Sequence, residues 1–78
     1  MKISEFINAE IERIEAEEGY PPEELSAIAE KVKSEYKTDC VLSHIGGYDS
    51  TGYDLDCYAF AYIENGTLTI HGYEHESY

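Results

Sequence analysis

Ile3, Phe6, Ile7, Ile11 and Ile14 recur at steps of three and four, so a helix places all five on one stripe. Glu5, Glu10, Glu12, Glu15, Glu17 and Glu18 then occupy the opposite face. Gly19 can take the left-handed conformation that ends a helix, and Pro21-Pro22 cannot prolong one, so the first helix is expected over about 3–18. A second is expected over about 22–36, with Pro22 in its first turn and Leu25, Ile28, Ala29 and Val32 as its buried stripe. Glu23 and Glu24 suit the positive end of that helix dipole, and Lys31, Lys33 and Lys37 suit the negative end.

After Thr38 the period shortens to two. Asn65-Gly66 is a strong hairpin signal, because both central positions of a type I′ turn need positive φ. A two-residue turn pairs Glu64 with Thr67, Ile63 with Leu68, Ala61 with Ile70 and Phe60 with His71. Cys57, Ala59, Ala61, Ile63, Leu68 and Ile70 then share one sheet face, and Asp56, Tyr58, Phe60, Tyr62, Thr69, His71 and Tyr73 share the other. Strands are expected over about 39–45, 54–64 and 67–74, with a loop from Gly46 to Gly52 whose register is open. The fold class is therefore α+β, one domain over 1–78 in the order ααβββ, two helices on one face of a three-stranded antiparallel sheet. Ala59, Ala61 and Gly72 are small enough for helices to press close, which places the helices there and leaves the aromatic face at least partly open.

Charge changes the picture. The 78 residues carry 17 Asp and Glu against five Lys and Arg, a formal net charge of −12. That exceeds the magnitude of roughly 2 to 8 that keeps a small domain soluble. Direct binding to nucleic acid or an anionic membrane is disfavoured by repulsion, and a basic protein becomes the expected partner. The charge is also unevenly placed: residues 1–20 net −4, residues 21–37 net −1, and residues 38–78 net −7 with no Lys or Arg. Six of the eight tyrosines lie in that last stretch. Tyr gives large contact area at low entropic cost, and carboxylates among tyrosines offer an Arg side chain both a bidentate acceptor and a face to stack on. Tyr48, Asp49, Tyr53, Asp54, Asp56, Tyr58, Tyr62, Tyr73, Glu74 and Glu76 are accordingly the candidate partner-binding residues. The phrase Gly-Tyr followed by an acid recurs at Gly47-Tyr48-Asp49, Gly52-Tyr53-Asp54 and Gly72-Tyr73-Glu74, either by chance or as three displays of a ring beside a carboxylate.

A chain this short, this acidic, rich in Tyr, Asp and Glu and without catalytic motifs resembles the small phage-encoded inhibitors of nucleic-acid-binding defence systems, the anti-CRISPR and DNA-mimic antirestriction proteins. The resemblance lies in size and composition. It implies a non-catalytic inhibitor that binds the basic groove of a nuclease or a CRISPR effector and excludes DNA. Immunity proteins and antitoxins that neutralise a basic toxin are similar in size and charge and form the alternative.

Other chemistry finds less support. Cys40 and Cys57 are too few for a disulfide scaffold and lack C-x-x-C spacing, so both are expected reduced and buried. Cys40 and His44, four apart on a strand, stand about 13 Å from each other, too far for one to activate the other. His71 and His75 share a strand face with Asp56 and Glu74 nearby, a minor case for a metal-binding domain, but the set matches no ligand spacing. Asp49 to Asp54 lacks the order of an EF-hand loop. No catalytic residue, metal or cofactor is assigned, and no enzymatic activity is expected. The N-terminus runs into acidic residues rather than a signal-type apolar segment, and no apolar run reaches the ~20 residues needed to cross a bilayer, so a cytoplasmic protein is expected, monomeric or homodimeric.

Overall fold

A computed structural model describes residues 1–46 and 54–77, with the backbone alone at 54, 55, 76 and 77. Two helices, α1 (Ile3–Ala16) and α2 (Pro21–Tyr36), precede three strands, β1 (Cys40–His44), β2 (Asp54–Glu64) and β3 (Thr67–Ser77). The strands form one antiparallel sheet in the order β1-β2-β3. The expected α+β order ααβββ is the one observed. The Cα atoms span 38 × 27 × 16 Å, and the short dimension fits one helical layer on one sheet.

The helix boundaries follow from local hydrogen bonding. At the end of α1, Glu18 N–H donates to the Glu15 carbonyl (3.1 Å) and Gly19 N–H to the Ile14 carbonyl (2.8 Å), the two bonds of a Schellman motif. The left-handed residue in that motif is Glu18 (φ 59°), not Gly19, so α1 ends two residues before the expected position. Gly19 serves a different need: a Cβ there would lie 2.8 Å from Ile14 Cγ2 and 3.1 Å from the Ile14 carbonyl oxygen. Pro21 begins α2 one residue early and is buried, and Lys37 closes the helix in the left-handed conformation (φ 52°).

The hairpin register is the expected one throughout, from Glu64 opposite Thr67 to Phe60 opposite His71, and Asn65 and Gly66 both have positive φ (53° and 77°). β3 runs three residues beyond the expected end, to Ser77 opposite Asp54. The register left open across the Gly46 to Gly52 loop is set by Cys40 opposite Tyr62 and His44 opposite Tyr58. The stretch of that loop from Gly47 lies outside the described residues.

The sheet presents the opposite face to the helices from the one expected. Phe60 (0% exposed), Tyr62 (1%) and Cys40 (2%) join Ile3, Ile7, Ile11 and Ile14 of α1 and Leu25, Ile28, Ala29 and Val32 of α2 in the core. Phe6, Tyr36, Leu42, Tyr58 and Tyr73 pack around its margin. On the other face Val41, Ile45, Ile63, Leu68 and Ile70 are exposed, with Gly72 beside them. Aromatic side chains carry ~150–250 Å² each, so covering the ring-bearing face removes more apolar surface than covering alanines. The small residues invite close approach but offer little area in return.

A candidate interface where the turn between the helices meets the far end of the sheet

The Schellman turn and buried Pro21 swing Tyr20 against the far end of β3. There Tyr20 and His75 meet edge to face, with ring centroids 5.0 Å apart. Strand alternation puts His75, Tyr73, Tyr58 and His44 on the same, helix-facing side of the sheet. Their rings form a continuous row: Tyr73 and His75 stack at 6.4 Å, Tyr58 and Tyr73 lie at 6.3 Å, and His44 stacks on Tyr58 at 4.6 Å. Two hydrogen bonds hold the row. Tyr73 Oη and His75 Nδ1 are 3.3 Å apart, and His44 Nε2 meets Asp56 Oδ1 at 3.3 Å. Beside the row, Glu15, Gly19, Tyr20, Pro21, Tyr73, Glu74 and His75 line an open cleft of about 340 Å³.

The cleft and row are acidic as well as aromatic. Burial, then the nearby Asp56 carboxylate and Tyr20, push the Tyr58 phenol above its ordinary value. Burial, then Glu15, Tyr20 and Tyr58, do the same to Tyr73. Both phenols therefore remain neutral donors with intact ring faces at physiological pH. The basic residues are elsewhere and largely engaged: Arg13 bonds Glu10 and Glu17, Lys31 bonds Glu10, and Lys33 bonds Glu30. Arg13, followed by burial working in the opposite sense and then Lys31, holds the Glu10 carboxyl below its usual range. Glu5, Glu12, Glu15, Glu18, Glu23, Glu24 and Glu35 remain exposed and have no ion pair among the described residues.

Of the ten residues singled out by sequence, Asp56, Tyr58 and Tyr73 come together here. Glu74 lies one residue from Tyr73 and lines the cleft, although alternation directs its side chain to the other sheet face. Tyr62 does not belong to a surface: it is buried beneath the helices, and its hydroxyl makes no well-formed hydrogen bond among the described residues. Burial raises its phenol pKa, aided by Glu64 and Cys40 and opposed by the Ser4 hydroxyl beside it. Tyr58 and Tyr73 are half-buried, packed against the margin of the core. Tyr48, Asp49 and Tyr53 lie outside the described residues, as do the side chains of Asp54 and Glu76. Two of the three Gly-Tyr-acid phrases fall in that same stretch.

Tyr20, His44 and His75 were not among the expected contact residues. Tyr20 sits in a turn between helices, and nothing local in the sequence brings it to a strand more than fifty positions away. The two histidines have satisfied partners, and His71 donates from Nε2 to Asn8 Oδ1 at 3.1 Å. Among the described residues no three His, Cys, Asp or Glu side chains gather closely enough to hold a metal ion. Cys57 is half-buried on the outer sheet face rather than in the core, and both cysteines are free. No helix among the described residues is long and apolar enough to cross a membrane.

No protein-family model matches this chain, and neither a curated protein nor a solved structure matches it.

Proposed function

We propose that this protein is a non-catalytic inhibitor that occupies the positively charged nucleic-acid-binding surface of a defence nuclease or CRISPR effector and keeps DNA out. It would act in the cytoplasm of the cell that houses that enzyme. The observation that carries the reading is the meeting of carboxylates and aromatic rings at one end of the sheet. Glu15 and Glu74 line the cleft beside Tyr20, Tyr73 and His75, and Asp56 joins the same ring row through His44, which stacks on Tyr58. A guanidinium entering the cleft would find carboxylate oxygens to accept its N–H groups and ring surface to lie against. The exposed glutamates of both helices extend the same sign of charge over the rest of the helical layer and would steer a basic partner during approach.

The test is capture of binding proteins from a host lysate on the immobilised protein, followed by displacement of labelled DNA from whatever is captured. The expected result is a nucleic-acid-binding protein whose DNA is released by a stoichiometric amount of this chain, with affinity falling as salt rises. Capture of no nucleic-acid-binding protein, or binding that is the same at low and high salt, would refute the proposal.

A further inference from the structure

The outer face of the sheet is the largest feature left without a role. The register sets Val41, Ala61 and Ile70 in one cross-strand row and Ser43, Ala59 and Gly72 in the next, with Ile63 opposite Leu68. Ile45 continues the patch, its N–H bonded to the Cys57 carbonyl at 2.7 Å. Val41, Ile45, Ile63, Leu68 and Ile70 are 45–69% exposed. Within the strands, Glu74 is the single charged residue with a described side chain on this face, in a chain of 17 acids. Isolated exposed aliphatics are ordinary, but a monomer rarely shows a contiguous patch of them over more than a few hundred Å².

We infer that this face packs against the same face of a second copy, making a two-fold α/β/β/α homodimer. Three arguments select a second copy as the occupant. The first is area: β2 and β3 with 11 residues each and β1 with five, at ~3.3 Å per residue and ~4.8 Å per strand, make a face of roughly 430 Å². Two such faces cover about 900 Å² together before the relief of the side chains is counted, close to the ~1,000 Å² that a specific interface needs. The second is chemistry: a basic partner would find one carboxylate to pair with here, whereas a second copy presents the matching aliphatic surface. The third is charge. Each copy carries −12, yet its helical glutamates lie on the opposite side of the sheet from the contact. Sheets stack ~10 Å apart, and a helical layer beyond each puts the two acidic surfaces roughly 30 Å from one another, several times the ~8 Å screening length at physiological salt. Face-to-face pairing is thus the association that brings these anionic surfaces least close together. It leaves both copies of the acidic-aromatic cleft pointing outward, so the dimer would be bivalent toward a basic partner.

Sedimentation equilibrium on the full chain, across protein concentration and from 50 mM to 1 M salt, tests the inference. Twice the monomer mass is expected, with dimerisation strengthening as salt screens the like charges. Capture of a basic partner should respond to salt in the opposite direction, which separates the two proposals. Ile70→Lys and Leu68→Lys should each weaken dimerisation at least tenfold while leaving the circular dichroism spectrum unchanged, because both side chains are exposed in the single chain. Ile70→Ser serves as the milder second variant, expected to weaken dimerisation about threefold. A wild-type chain that stays monomeric at high salt and 100 µM, or an Ile70→Lys protein that still dimerises fully, overturns the inference. Flotation of the chain with phosphatidylcholine vesicles, abolished by Ile70→Lys, would overturn it in favour of a lipid surface.

Discussion

Tyr62 and Ile63 are adjacent in β2 and have opposite surroundings: Tyr62 is 1% exposed beneath the helices and Ile63 is 45% exposed on the outer face. A hydropathy scale would reverse them. The pairing predicts opposite mutational responses. Tyr62→Phe removes a buried hydroxyl that lacks a well-formed hydrogen bond, so stability should hold or rise by up to about 1 kcal/mol. Phe60→Ala, in the same core, should cost about 3–5 kcal/mol. Urea unfolding followed by circular dichroism measures both, and a loss above 1 kcal/mol for Tyr62→Phe would show that the hydroxyl is well satisfied after all.

Glu18 and Gly19, in the one turn that ends α1, separate two uses of glycine. Gly19→Ala places a Cβ against Ile14 Cγ2 at 2.8 Å and should destabilise by about 1–3 kcal/mol. Glu18→Gly relieves a left-handed non-glycine residue and should stabilise by about 0.5–1 kcal/mol. Gly72→Ala meets nothing closer than the Tyr58 carbonyl at 3.9 Å and should fall within about 0.5 kcal/mol of wild type. Thermal melts of the three variants give the order directly.

Glu10 gathers Arg13 (2.9 Å) and Lys31 (3.1 Å) on one carboxylate oxygen, linking α1 to α2. Its folded pKa lies below the ordinary 4.5, so its contribution is fully present above that value and is lost as pH falls through the lowered folded pKa. Glu10→Gln should therefore lower the melting temperature at pH 7 by about 2–4 °C. The gap between variant and wild type should close progressively below pH 4.5. A gap that stays constant into strong acid would show that Glu10 stabilises by packing rather than by charge.

Tyr58, Tyr62 and Tyr73 all have phenols raised above 10.0, burial being the first cause in each. Because the fold favours the neutral form, the associated stability is complete below pH 10 and is lost as pH rises through the raised values. Ultraviolet titration should show late ionisation of Tyr58, Tyr62 and Tyr73, with Tyr62 ionising only on unfolding. Replacing each in turn by Phe assigns the late phases.

At the proposed interface, Asp56→Asn should weaken capture of the basic partner about fivefold or more without lowering the melting temperature appreciably. The side chain is half-exposed, and its neutral replacement keeps the size of the group beside His44. Tyr73→Phe loses the contact to His75 and should weaken capture less, about twofold. Surface plasmon resonance at two salt concentrations measures both, and an unchanged affinity for Asp56→Asn would move the interface elsewhere.

Local rules carried most of the fold. The 3.6-residue stripes of isoleucine, the Pro21-Pro22 break and the Asn65-Gly66 turn act between near neighbours, so the helices, the hairpin and its register follow from the chain as written. The acid-and-tyrosine content of residues 38–78 likewise pointed to Asp56, Tyr58 and Tyr73. Alternation sorts β2 and β3 into two faces, but both faces contain apolar residues, and only competition for the helices decides which is covered. The rings won because they bury more area, even with the Tyr62 hydroxyl buried and without a well-formed hydrogen bond among the described residues. That one tertiary decision placed Tyr62 in the core, exposed Leu68 and Ile70, and brought Tyr20 to His75 across the fold. Spacing determined the elements and their pairing, whereas the choice of buried face depended on the total surface removed from water, a quantity no single segment contains.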